Sequence, residues 1–146
     1  MKTTRILITA IVTALAIPAF AADKPKADEK EKDHPKVEVK IPDTAAALWT
    51  EIDAKTKALT DLVTAKKGDA IHVAAETVEG LVSAIPSKHA DLAADKKKRV
   101  EGMVKNVART LDAIHEEAEG GHWDDATKKL GQVQAALKLI RQQAGK

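Results

Sequence analysis

Among the side chains that could do chemistry, the histidines stand out by their company. The chain holds five, at positions 34, 72, 89, 115 and 122. His72 is followed four residues later by Glu76, and His115 by Glu119. On a helix that spacing puts both side chains on one face. Asp69, Glu116, Asp124 and Asp125 lie close by in sequence, and His122 follows directly on Gly120-Gly121. Neutral imidazoles and carboxylates converging at about 2.0–2.2 Å are what Zn²⁺ or Cu²⁺ takes as ligands. The candidate donors are therefore His72, His115 and His122, with Glu76 and Glu119. A plainer reading competes with this one. His–Glu pairs at this spacing stabilise ordinary helices, solvent-facing helix ends collect such residues, and no H-E-x-x-H motif is present.

Other chemistries lack their parts. Cysteine is absent, which removes disulfides, thiolate metal sites and c-type haem attachment. Ser83 and Ser87 are the only serines, and neither follows a strand into a nucleophile elbow. No glycine-rich phosphate loop occurs. Met103 is the sole methionine besides Met1, so a thioether-rich Cu(I) site has no donors. These absences point away from an enzyme. The net charge of +2 is supplied by Lys2 and Arg5, the only charges before Asp23. The chain beyond them is balanced, which argues against a nucleic-acid partner. Lys96-Lys97-Lys98-Arg99 is a local basic cluster at a helix start, where a solvated face is the simple explanation.

Helical periodicity supplies the elements that would position the histidines. A first stripe runs through Leu48, Ile52, Leu59 and Leu62, flanked by Trp49, Thr56 and Val63. Asp43 is the expected N-cap, and Lys66-Lys67-Gly68 the expected stop. Asp69 would cap a second helix carrying Ile71, Ala74/Ala75, Val78, Leu81/Val82 and Ile85, ended by Pro86. Residues 87–94 read either as a turn entering the third helix or as a loop capped by Asp95. Val100, Val104, Val107, Leu111, Ile114 and Ala118 form the third stripe, closed by Gly120-Gly121. The fourth carries Trp123, Ala126, Leu130, Val133, Leu137 and Ile140. Four such stripes joined by short turns predict an all-α, antiparallel up-down-up-down four-helix bundle over 44–146. In that topology His72, His115 and His122 fall within about a turn and a half of one pole, at about 1.5 Å rise per residue. His89 belongs at the other.

The N-terminal part reads differently. Met1-Lys2-Thr3-Thr4-Arg5 is basic, Ile6 to Ile17 is mostly apolar, and Pro18-Ala19-Phe20-Ala21 offers a small-residue cleavage site. Residues 1–21 thus have the three-part build of a secretory signal. The apolar run is too short for a bilayer-spanning helix, which needs roughly 20 residues. For a Gram-negative bacterium the product would be periplasmic, with no stable membrane insertion after cleavage. Residues 22–43 follow as a charged, proline-containing linker. From Asp23 to Asp43 six lysines and seven acids alternate with Pro25, Pro35 and Pro42, a composition that favours disorder. Val37, Val39 and Ile41 alternate with charges as in a strand, but nothing else in the chain could pair with one.

Two resemblances add expectations. Ala118-Glu119-Gly120-Gly121-His122-Trp123-Asp124-Asp125-Ala126, preceded by Leu111-Asp112-Ala113-Ile114, resembles the corresponding hairpin of small periplasmic b-type cytochromes. That family implies a haem held by a methionine early in the first helix and a histidine late in the fourth. Here those regions read Ala47-Leu48-Trp49-Thr50 and Leu139-Ile140-Arg141-Gln142, so the resemblance implies the fold and no haem. The segments from Lys67 to Ala74 and Val104-Lys105-Asn106 look similar to small periplasmic bundle proteins associated with heavy-metal efflux. The resemblance implies a partner in metal efflux, or another periplasmic protein.

The sequence therefore predicts a monomeric, non-enzymatic periplasmic bundle that binds a divalent transition metal, Zn or Cu, as a buffer or chaperone. The alternative is a structural or adaptor bundle without a ligand, acting through protein–protein contact.

Overall fold

The computed structural model describes residues 37–145, and these are helical with no strand among them. The expected signal peptide over 1–21 and most of the expected linker lie outside the described residues. The helices are α1 (Ala45–Thr64), α2 (Gly68–Ser83), a four-residue α3 (Ile85–Lys88), α4 (Ala94–Glu119) and α5 (Trp123–Ala144). The four long helices pack against one another. The broadest contact joins α4 to α5, followed by α2 with α4 and α1 with α2, and a thinner seam joins α1 to α5.

The stripes read from periodicity become the core. Ile52, Leu59, Ile71, Val78, Val100, Leu111, Ile114, Ala126 and Ile140 are all fully or almost fully buried. Burying a branched aliphatic side chain contributes about 1.5–3 kcal/mol, so these stripes hold the bundle together. On α1 the buried edge runs through Trp49, Thr56 and Val63, while Leu62 is only partly covered. The helix is thus rotated slightly from the expected face. That places one polar atom badly: Thr56 is 7% exposed and its Oγ1 has no hydrogen-bond partner.

Several expected helix ends are corrected. Thr44, not Asp43, caps α1, its Oγ1 accepting from the Ala47 N–H at 3.1 Å. Gly68 does not end α1. The left-handed residue at that turn is Lys66 (φ 54°), and Gly68 opens α2. Asp69 and Asp95 lie in the first turns of α2 and α4 without capping them. Their negative charge still complements the helix N-terminus. Pro86 does not simply stop α2, which ends at Ser83. It starts the short α3, where a missing N–H costs nothing. Gly120-Gly121 ends α4 as expected, with Gly121 at φ 75°.

The packed part of the chain also begins ahead of the expected boundary at 44. Residues 37–42 form no regular element and lie against α2, with Val39 partly buried against the core. The groove on α2 exists because residue 80 is glycine: a Cβ there would lie 2.9 Å from Val39 Cγ2. Alternating Val37, Val39 and Ile41 need no partner strand when a helix face receives them.

Candidate metal centre

His72 is on the second turn of α2, and His115 is one turn before the end of α4. Each is anchored by a core neighbour, Ile71 and Ile114, both fully buried. The bundle brings the two imidazoles together, with ring centroids 4.5 Å apart and planes tilted by 52°. Their side chains are only 22% and 17% exposed. Each ring faces the carboxylate one turn further along its own helix. His72 Nε2 lies 3.3 Å from Glu76 Oε1, and His115 Nε2 lies 3.2 Å from Glu119 Oε1.

These separations are informative in themselves. Charge-assisted N–H···O bonds close to about 2.7–2.9 Å, and both pairs sit at the loose end of the hydrogen-bond range. Two donors on one tetrahedral ion, each at about 2.0–2.2 Å, are about 3.3–3.6 Å apart. Two imidazoles sharing such an ion have ring centres about 4.5–5.2 Å apart for ligand angles between a right angle and the tetrahedral one. The 4.5 Å between ring centres and the 3.3 Å at His72 lie at the lower edge of those ranges, and the 3.2 Å at His115 lies below them.

His122 is placed differently. Its ring is 65% exposed and its Nδ1 lies 3.1 Å from Glu117 Oε2, while Lys129 Nζ approaches the other oxygen of Glu117 at 3.7 Å. His122 lines a surface depression of about 310 Å³ with Lys66, Gly121, Trp123, Asp124 and Asp125. Asp125 is held below the usual carboxylate range, chiefly by its hydrogen bond from Lys128. The expected convergence of three histidines reduces to a pair, and among the described residues no three or more His, Cys, Asp or Glu are grouped to hold a metal ion. The pole itself is shared as expected. A Cβ on Gly68 would stand 3.8 Å from the Trp123 ring and 3.9 Å from the Ala118 carbonyl oxygen.

Two further features escaped the sequence reading. Val37 N–H donates to Glu76 Oε2 at 3.3 Å, so Glu76 faces His72 with one oxygen and the N-terminal segment with the other. Away from the pole, His89 Nε2 accepts the Trp49 indole N–H at 3.3 Å. Arg141 lies over the same indole, 4.6 Å from its centroid. A groove of about 380 Å³ runs along this α1–α5 seam, lined by Trp49, Thr56, Leu137 and Lys138 among others. The alternation of Val37, Val39 and Ile41 was the available signal for the first feature. The second offered none, since its residues are far apart in sequence.

No helix among the described residues is long and apolar enough to cross a membrane. Comparison with family models, curated proteins and solved structures gave no match. The two resemblances therefore stand on the quoted residues alone.

Proposed function

We propose that the chain is a non-enzymatic periplasmic helical bundle that captures a divalent transition metal at the His72/His115 pair. The observation that carries this reading is the 4.5 Å approach of two half-buried imidazoles from separate helices. Each imidazole has one carboxylate beside it, Glu76 at His72 and Glu119 at His115. His122, engaged by Glu117, is peripheral. Imidazole donors suit Zn²⁺ or Cu²⁺. One face open to solvent suits a buffer or a chaperone that passes its ion to an efflux component or another periplasmic protein.

The helices are read as antiparallel, up-down-up-down. Support comes from turns of a few residues and from contact running α1–α2–α4–α5 and back to α1. The meeting of an early residue of α2 with a late residue of α4 supports it as well.

Calorimetric titration of the mature, tag-free protein with Zn²⁺, Cu²⁺ and Ni²⁺ tests the reading. One ion per chain with Kd under about 10 µM is expected, weakening as acid protonates the imidazoles. A His72→Ala/His115→Ala double variant should lose this binding, and His122→Ala should keep it. Undiminished binding in the double variant would exclude the site. Absence of binding in the wild type would leave the ligand-free adaptor as the reading.

A further inference from the structure

We infer that the groove along the α1–α5 seam binds a small aliphatic monocarboxylate, with its head between Thr56 and Lys138 and its tail along Leu137 toward Trp49. The groove shares no residue with the His72/His115 pair, so the inference stands apart from the metal reading.

The seam is bridged at two places and open between them. At one end Arg141 reaches Asp53 at 2.8 Å, and at the other Gln134 Nε2 donates to Thr60 Oγ1 at 3.1 Å. The rise along α5 from Gln134 to Arg141 is about 10 Å. The groove encloses about 380 Å³, inside the range of about 300–1,000 Å³ typical of ligand pockets. Leu137 and Trp49, both largely buried, give it apolar walls. Bridges at both ends suit a short alkyl chain better than a long lipid tail.

Thr56 is the polar point of this space. It lines the groove and is more than nine-tenths buried, yet its Oγ1 has no partner. The other helical threonines behave differently. Thr50, Thr60, Thr64, Thr77, Thr110 and Thr127 each donate to the carbonyl four residues back. Among the described helical residues, Thr56 is the one threonine that leaves that bond unmade. Burying a hydroxyl unpaired is unfavourable, and a ligand oxygen that accepts its proton removes that cost.

Charge selects the head group. Lys57, Lys138 and Arg141 line the groove against a single acid, Asp53. Arg141 is engaged by Asp53, and Lys57 by Asp61 at 2.8 Å. Lys138 enters no ion pair or hydrogen bond among the described residues, so its ammonium is the cation left for a ligand. A carboxylate accepts from Thr56 and balances Lys138. An amine head would meet a like charge.

Sodium octanoate is the probe, titrated into the full-length, tag-free protein. Trp123→Phe leaves Trp49 as the only indole, so its emission reports on the groove. One octanoate per chain is expected, with Kd below about 1 mM for a ligand of this size. Thr56→Val should weaken binding about tenfold without lowering the urea midpoint, so the loss cannot come from unfolding. Lys138→Gln should weaken it about fivefold, a difference that fades in 1 M salt. Acetate, which lacks the tail, and octylammonium, which reverses the charge, should not displace octanoate. Absence of saturable octanoate binding would overturn the inference. So would affinity within twofold of wild type in Thr56→Val or Lys138→Gln, or octylammonium binding as tightly as octanoate.

Discussion

Arg141 Nη2 on α5 lies 2.8 Å from both carboxylate oxygens of Asp53 on α1, and the same guanidinium covers the Trp49 ring. This clamp spans the thinner seam of the bundle. Its members are exposed, Arg141 by 46% and Asp53 by 62%, so solvent screening limits the ion pair to about 0.5 kcal/mol. Stacking on Trp49 adds about 0.5–1 kcal/mol. Arg141→Ala should therefore cost about 1 kcal/mol in urea unfolding and Asp53→Asn about half that. A double-mutant cycle should show coupling near 0.5 kcal/mol that shrinks in 1 M salt, with its Debye length of about 3 Å. Coupling unaffected by salt would mean the contact is not ionic.

Thr56 offers a stabilising change. Its hydroxyl is buried without a partner, a situation that costs about 1–3 kcal/mol. Thr56→Val keeps the branched shape and removes the polar atom. It should raise stability by about 1 kcal/mol, read as a higher urea midpoint at constant m. A lower midpoint would show that the hydroxyl is satisfied in solution.

The two turns respond oppositely to glycine chemistry. Lys66 holds φ at 54°, which costs an L-residue about 1 kcal/mol, partly offset by the flexibility glycine brings to the unfolded chain. Lys66→Gly should stabilise by about 0.5 kcal/mol. Gly121→Ala, at φ 75°, should destabilise by about 1 kcal/mol. Thermal unfolding of both variants checks the pair, and equal signs would contradict the assigned backbone.

Glu79 gives a pH signature. Burial first, then the charges of Asp112 and Glu76, raise its carboxyl above the usual value. Between the ordinary carboxylate value and the raised one, the folded state therefore holds a proton that the unfolded state has already released. Stability from this group is present at pH below the ordinary carboxylate value and is lost as pH climbs through the raised one. Glu79→Gln should thus raise Tm at pH 7, by a contribution of about 0.5 kcal/mol once partial exposure is discounted, and should show no advantage near pH 3. An advantage that persists at pH 3 would assign the gain to packing rather than charge.

Much of the core could be read from spacing because each helix repeats its apolar residues at three and four. Val100, Val104, Val107, Leu111 and Ile114 are buried as that rhythm demands. The α1 edge was less clear, since Leu62 and Val63 are adjacent and equally apolar, and only the packed core chooses Val63. The His72/His115 approach was legible by counting turns from the connections. His122 was not, because Glu117, five residues back across the Gly120-Gly121 turn, engages its ring. Turn chemistry also misled: Lys66 takes the left-handed position although Gly68 was available two residues later. The Val39–Gly80 contact joins residues with no local pattern in common, and only the folded chain reveals it.

The order of contacts along the bundle bears on how the chain reaches its fold. Each long helix packs most broadly on a neighbour in sequence, and only the α1–α5 seam brings together the two ends of the folded part. Loops this short close at little entropic cost, and helical proteins with such local contacts fold in microseconds to milliseconds. The α4–α5 pair, with the broadest contact, is expected to nucleate folding and α1 to dock late. Substitutions at Ile52 or Leu59 should then accelerate unfolding and leave the folding rate nearly unchanged, whereas Leu111→Ala should slow folding. Stopped-flow chevrons would show the contrast, and a slowed folding arm for Ile52→Val would place α1 in the nucleus instead.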